Sequence, residues 1–120
     1  VPAKGLICEG NYSLESGMEN TRKLLAEHPD IDGIFASNDL MAMGAITALE
    51  AAGKSVPSNV RVVGFDDALI AQTSRPALTT IRQDVVALGE AAATLMIAQL
   101  NGQEIEPIIL PTELVIRESA

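Results

Sequence analysis

The sequence has few of the residues on which catalytic and metal sites depend. In 120 residues it contains no tryptophan, one tyrosine, two phenylalanines, one cysteine and one histidine. The lone Cys8 excludes an internal disulfide and a cysteine-based metal cluster. His28 directly precedes Pro29 at the end of a predicted helix, a position typical of surface structure, so histidine-dependent catalysis is disfavoured. We therefore predict an aliphatic core, no metal, no cofactor and no enzymatic activity.

Long apolar runs and an excess of positive charge are also missing. Gly, Pro or charged residues interrupt every apolar stretch before the ~20 residues that a membrane span requires, and no signal peptide is visible. We therefore expect a cytoplasmic protein that does not enter a membrane. The 16 acidic and 8 basic residues give a formal net charge of −8. Because an excess of carboxylates repels phosphate, this chain alone should not bind nucleic acid.

The sequence does contain a regular alternation of strand-like and helix-like segments. With 48% hydrophobic and 20% charged residues, it should form one domain with a substantial core. Three consecutive strand–helix units predict an α/β fold, in which a parallel sheet is flanked by helices. The predicted strands are Gly5–Cys8, Ile31–Ala36 and Val60–Phe65, and Pro107–Arg117, interrupted by Pro111, is at best two short strands or an edge strand. The predicted helices begin after Ser13 and after Asp39 and span Val85–Leu100.

Polar residues follow each of the first three predicted strands, as Asn11-Tyr12-Ser13, Ser37-Asn38-Asp39 and Asp66-Asp67. In open α/β sheets, ligands bind beyond the carboxyl ends of the strands. Carboxylates, an amide and one aromatic ring suit a neutral polyhydroxylated ligand, and Asp66 is the best single candidate. An alternative interpretation stays open, in which Ser13 and Asp39 are helix N-caps and Asn38 only forms a turn.

Several segments together resemble the lactose-repressor/galactose-repressor family of bacterial transcription regulators. The resemblance covers essentially the whole chain, in order, and its motifs are specific in combination. They are Asn11–Gly17, Ser37–Ala45, Val62–Asp67, Pro76–Gln83 with Leu88-Gly89, and Leu110–Arg117.

The resemblance implies a periplasmic-binding-protein-like, three-layer αβα fold. In that family two α/β subdomains clamp a small ligand, usually a sugar or a nucleobase. Matched motif by motif, Asp66 and Asn38 would hydrogen-bond ligand hydroxyls and Tyr12 would stack on the ligand. Gln83 is a further candidate. The implied function is effector sensing that alters operator binding allosterically, because ligand closes the subdomains of a dimer.

The resemblance also implies that this chain is a C-terminal fragment of a ligand-binding domain. Residues 1–80 would form the second subdomain, residues 81–106 a crossover and a helix belonging to an absent first subdomain, and residues 107–120 a returning tail. Operator DNA would be bound only by a helix-turn-helix head upstream, where the family's cleft arginine also lies. We expect the apolar stripe of the Val85–Leu100 helix to dock on this chain's own sheet or on another copy.

A homodimer is expected from the start of the helix after Asp39. Met41 and Met43 could belong to the core or to a partner surface; we predict them at that interface, with Met43 exposed in a single chain. Two other functions are alternatives. A periplasmic sugar-binding protein shares the fold, although Pro76–Gln83 favours the regulator. A phosphoacceptor receiver domain is disfavoured because no lysine stands at the end of a late strand.

Overall fold

The structure is a computed structural model that describes residues 5–120. Residues 1–4 of the predicted second subdomain therefore lie outside the described part. The helices and strands, in chain order, are α1 (Leu14–Glu27), β1 (Gly33–Phe35), α2 (Asp39–Ala51), β2 (Arg61–Asp66), α3 (Leu69–Thr73), β3 (Thr79–Gln83), α4 (Val85–Leu100) and β4 (Thr112–Val115).

The four strands form one sheet in the order β1-β2-β3-β4. The pairs β1–β2 and β2–β3 are parallel, and a helix connects the strands of each pair. β4 runs antiparallel to β3 and pairs Gln83 with Thr112. The predicted α/β fold is therefore confirmed, with β1 to β3 forming the predicted parallel sheet and β4 joining it in the antiparallel direction.

One strand prediction was wrong and another was confirmed in one of its two forms. Gly5–Cys8 passes beside β1 without forming a strand. Gly5 has a left-handed φ of 99°, and the three residues of β1 offer few backbone partners. Within Pro107–Arg117 a single edge strand forms, which is the second of the two predicted possibilities. It begins directly after Pro111, because proline has no N–H to donate to the ladder.

Glycines allow α1 and α2 to pack closely. A Cβ on Gly17 would overlap the Met41 backbone, and a Cβ on Gly44 would overlap the Leu14 carbonyl. On its other side α2 packs against β1 and β2. α2 supplies half of the aliphatic core, and the other half comes from β2, α3 and the loops. The members of the core are Ala36, Met41, Ala42, Ala45, Ile46, Leu49, Val60, Val62, Ala71 and Leu78.

The two methionines at the start of α2 do not lie where we predicted. Met41 is 8% exposed and belongs to the core, so in this chain it is not a surface residue. Met43 is half-buried and packs against the core, which contradicts the exposed position predicted for it. The prediction assumed that one face of α2 is free, whereas α1 and the sheet occupy opposite sides of the helix.

α4 has the predicted bounds but does not dock on the sheet of its own chain. None of its residues is buried, and Leu88, Met96 and Leu100 are 50%, 57% and 78% exposed. Asp84 caps the helix by accepting a hydrogen bond from the Ala87 N–H at 2.9 Å. The part of the prediction that placed α4 on its own sheet is therefore wrong for the single chain. Docking on another copy stays a prediction.

The two faces of the sheet differ in how they are covered. Val62, Gly64 and Thr80 are buried on the face that α2 contacts. The alternate residues point to the opposite face, where Phe35 and Leu114 are 65% and 54% exposed. Residues 5–120 therefore form the sheet and one helical layer. The third layer of the implied αβα arrangement is not seen within these residues.

The last residues of the chain complete the sheet at the start of β3. Ser119 is fully buried. Its hydroxyl donates to the Val62 carbonyl at 2.6 Å and accepts from the Thr79 N–H at 2.8 Å. Ser119 thus joins β2 to β3 just before their own ladder begins at Val63 and Thr79. No helix among the described residues is long and apolar enough to cross a membrane.

Candidate functional site at the carboxyl edge of the sheet

Asp66 and Gln83 come together where β2 and β3 end. The Gln83 side-chain amide donates to Asp66 Oδ1 at 2.9 Å. Asp66 is exposed and has a φ of 110°, and Asp67 after it has a φ of 58°. Left-handed backbone is uncommon for residues other than glycine, although aspartate adopts it more readily than most. The turn presents the Asp66 carboxylate at the carboxyl edge of the sheet.

Asn38 and Tyr12 form a second pair at the same edge. Asn38 is the N-cap of α2, and its Oδ1 accepts from the Met41 N–H at 2.9 Å. Its amide nitrogen donates to the Tyr12 carbonyl at 3.0 Å. Tyr12 has a φ of 65°, and the residue is 65% exposed. An amide can make four hydrogen bonds, so Asn38 keeps capacity for a ligand hydroxyl beside an available aromatic ring.

Asp39 links the two pairs from beneath the edge. It is 1% exposed, and its carboxylate accepts from the Thr80 hydroxyl at 2.6 Å and from the Ala68 N–H at 2.7 Å. Burial raises the pKa of Asp39, and the two hydrogen bonds offset that effect only in part. Asp39 directly follows Asn38, and Ala68 directly follows Asp67. The hydrogen bond between Asp39 and Ala68 therefore connects the Asn38–Tyr12 pair to the turn that carries Asp66.

Asp67 is the centre of an ion network on β3 and β4. Its side chain is 4% exposed, and its oxygens accept from Arg82 Nε at 2.7 Å and from Arg117 Nη2 at 2.6 Å. Arg82 also contacts Glu113 at 3.3 Å. Burial alone would raise the pKa of the Asp67 carboxyl, but the hydrogen bonds and charges of the two arginines lower it overall. Asp67 thus keeps its charge to a lower pH than an isolated aspartate does.

The structure brings Asp66 to Gln83 and Asn38 to Tyr12, and all four predicted site residues lie at one edge of the sheet. Met41 and Met43 lie apart from these pairs, in and against the core. The sequence reasoning missed the supporting residues Asp39, Arg82 and Arg117. One signal was available for Asp39: Asn38 and Asp39 are consecutive N-cap candidates and only one can cap the helix.

The arrangement suits a neutral polar ligand. Asp66 can accept hydroxyl protons, Asn38 can donate and accept them, and the Tyr12 ring can cover an apolar sugar face. Among the described residues, no group of three His, Cys, Asp or Glu side chains is placed to hold a metal ion.

Comparison with known proteins agrees with the fold. Residues 2–120 match the family described as a periplasmic binding protein-like domain. The HTH-type transcriptional regulator CelR of Thermobifida fusca is 37% identical over 116 residues, which are 95% of this chain and 34% of that protein. The lactose operon repressor of Rhizobium radiobacter is 39% identical over 107 residues, which are 88% of this chain and 95% of that protein.

Solved structures show the same relationship. A CelR–cellobiose complex superposes with a TM-score of 0.86 at 37% identity, covering 92% of this chain and 35% of that one. A Lac repressor bound to ONPG in the repressed state gives 0.86 at 34% identity, covering 93% and 34%. The chain therefore belongs to the periplasmic binding protein-like domain family, in the branch of the lactose-repressor/galactose-repressor regulators. It spans about a third of the length of CelR.

Proposed function

We propose that this chain is the effector-sensing part of a bacterial DNA-binding transcriptional regulator. It binds a small sugar-like ligand in a cleft, without catalysis, in the cytoplasm, and the bound ligand alters operator binding. The observation that carries the proposal is the Asp66–Gln83 pair, an exposed carboxylate held at the carboxyl edge of the sheet in a left-handed turn. The relatives support it, because they are regulators and one was solved with cellobiose.

In this proposal Asp66 accepts hydrogen bonds from ligand hydroxyls, Asn38 and Gln83 add amide contacts, and Tyr12 stacks on the ligand. The ligand is shared with a first subdomain, to which residues 84–106 belong, whereas residues 81–83, which were predicted to lie there, are part of β3. Two apolar surfaces support that division. One is α4, an apolar helix with no buried residue in this chain. The other is the face of the sheet on which Phe35 and Leu114 are exposed. Residues 5–83 and the tail at 107–120 form the second subdomain, and operator DNA is bound by a helix-turn-helix head outside this chain.

The regulator is proposed to act as a homodimer. Met43 stays a candidate contact, because it is half-buried in the single chain and a partner could cover the rest. Met41 has no remaining surface for that role. A Met43→Lys variant should sediment as a smaller species than the wild type, and an unchanged oligomer would exclude Met43 from the interface.

The ligand proposal is tested by titration calorimetry with cellobiose, lactose and ribose on the intact regulator and two variants of it. Asp66→Asn should cost about 1.5–3 kcal/mol of binding free energy for whichever sugar binds, the range for a hydrogen bond to a charged group. Asp30→Asn is the matched control, because Asp30 is exposed and precedes β1 at the opposite edge. Equal affinities for Asp66→Asn and the wild type would reject the proposed site.

A further inference from the structure

The two aspartates at the end of β2 each form a hydrogen bond with one of the last two residues of β3. Asp66 pairs with Gln83 at 2.9 Å, and Asp67 pairs with Arg82 at 2.7 Å. The backbone register sets Asp66 opposite Arg82. Of the four side chains, Asp67 is the one that is nearly fully buried, while its partner Arg82 is 46% exposed.

The two aspartates differ in how firmly they are held. The Asp67 carboxylate is fixed by both arginines, and Arg117 is in turn fixed by donating from Nη1 to the Leu78 carbonyl at 2.8 Å. The exposed Asp66 carboxylate has only the half-buried Gln83 amide as a partner among the described side chains. A left-handed conformation at two consecutive aspartates persists only where the surroundings impose it. Here the conformation is imposed by the hydrogen bonds of Asp67 to the two arginines and by the hydrogen bond from the Ala68 N–H to Asp39.

We propose that Asp67 is a positioning residue for effector binding. By bridging Arg82 and Arg117, it holds the Asp66–Asp67 turn and the end of β3 together, so that Asp66 and Gln83 face the ligand as one preformed acceptor and donor pair. Asp67 itself does not touch the ligand. This inference deepens the proposed function and rests on it for the identity of the ligand, but the geometry of the Asp66–Gln83 pair can be measured without any ligand.

Two independent measurements test the inference. In NMR spectra of the ligand-free protein, the Gln83 side-chain amide of Asp67→Asn should move to a solvent-exposed chemical shift, whereas Asp30→Asn should leave it unchanged. In titrations of the intact regulator with cellobiose, lactose and ribose, Asp67→Asn should lower the affinity for whichever sugar binds about tenfold or more. That loss is comparable to losing a hydrogen bond to a charged group. Arg117→Gln should reproduce both effects, and the double variant should be no worse than either single one.

A role limited to global stability would lower the unfolding temperature while the Gln83 signal and the sugar affinity stayed as in the wild type, and that result would overturn the inference. If Asp67→Asn does not fold, Arg117→Lys serves in its place. It keeps the positive charge but loses the forked geometry, so a partial shift of the Gln83 signal is expected and an unchanged signal counts against the inference. If no sugar binds the wild type, the proposed sugar site fails, and the Gln83 signal alone decides the positioning role.

Discussion

Asp39 at the start of α2 and Thr80 in β3 are joined by a 2.6 Å hydrogen bond between two buried side chains. The bond spans 41 positions of the sequence and lies directly behind the carboxyl edge. The second Asp39 oxygen accepts from Ala68. One carboxylate therefore fixes a helix, a strand and the ligand turn relative to one another.

Replacing Asp39 with alanine should destabilise the fold. Asp39→Ala leaves the Thr80 hydroxyl and the Ala68 N–H without a partner in the interior, at about 1–3 kcal/mol for each group. Asp39→Asn is the matched control, because its oxygen can accept from Ala68 while its NH₂ group donates to Thr80. Urea unfolding at neutral pH should show a larger loss for the alanine variant. Equal stability of the two variants would mean that these hydrogen bonds contribute little.

The stability of the protein should depend on Asp39 in mild acid. Burial raises the pKa of Asp39 above 3.8, so the folded state takes up a proton at a higher pH than the unfolded chain. The contribution of Asp39 to the free energy of unfolding therefore falls as the pH rises from 3.8 through the folded-state pKa. Urea titrations over this range should show that Asp39→Asn removes this loss. A pH profile identical to the wild type would contradict the assignment.

Asp67 should act in the opposite direction and at lower pH. Despite its burial, hydrogen bonds from Arg82 and Arg117 lower the pKa of Asp67 below 3.8. Its stabilising contribution is therefore complete above 3.8 and is lost as the pH falls through the folded-state value. In acid titrations followed by circular dichroism, Asp67→Asn should lose less stability than the wild type below 3.8. An equally steep loss in that variant would argue against the network.

Gly44→Ala should be costly, although alanine is the better helix former. Its Cβ would collide with the Leu14 carbonyl and the Met18 N–H, which are backbone atoms that cannot turn aside. Overpacking of this kind typically costs about 1–3 kcal/mol. Gly89→Ala is the control, because Gly89 also lies within a helix but has open space around its Cβ position. It should gain about 1 kcal/mol from helix propensity. Thermal unfolding of both variants distinguishes these signs.

The exposed α4 should make this chain self-associate when it is studied alone. Each large apolar side chain that a partner covers is worth about 1.5–3 kcal/mol. Leu88→Glu with Met96→Glu should therefore shift sedimentation velocity toward the monomer. The control Ile7→Glu changes another exposed apolar residue, one that lies beside β1. A wild-type chain that sediments as a monomer would show that α4 tolerates water.

Helix bounds were easier to predict from the sequence than side-chain partners. α4 begins at Val85 and ends at Leu100 as predicted, because apolar spacing and caps are local signals. Whether Gly5–Cys8 becomes a strand depends on a neighbouring strand, which local patterns do not contain. The burial of Met41 was missed for the same reason, since it requires knowing that α1 and the sheet both contact α2.

The candidate site shows the same division. Asp66 was predictable because it directly follows an apolar strand. Its supports were not, because Arg82 and Arg117 reach Asp67 from 15 and 50 positions away. Those contacts depend on the register of β3 and β4, which is set by packing in three dimensions.

Gln83 and Thr112 pair as the last residue of β3 and the first residue of β4. Residues 84–111 therefore leave the sheet and return to it at the same point, so that β3 and β4 are the arms of a hairpin whose loop has expanded into α4 and its linker. A two-residue Asn-Gly turn can join antiparallel neighbours. Replacing residues 84–111 with such a turn would keep the Asp39 and Asp67 contacts and remove the exposed helix. The same adjacency makes this position a natural graft point, where another small domain could be inserted without disturbing the sheet.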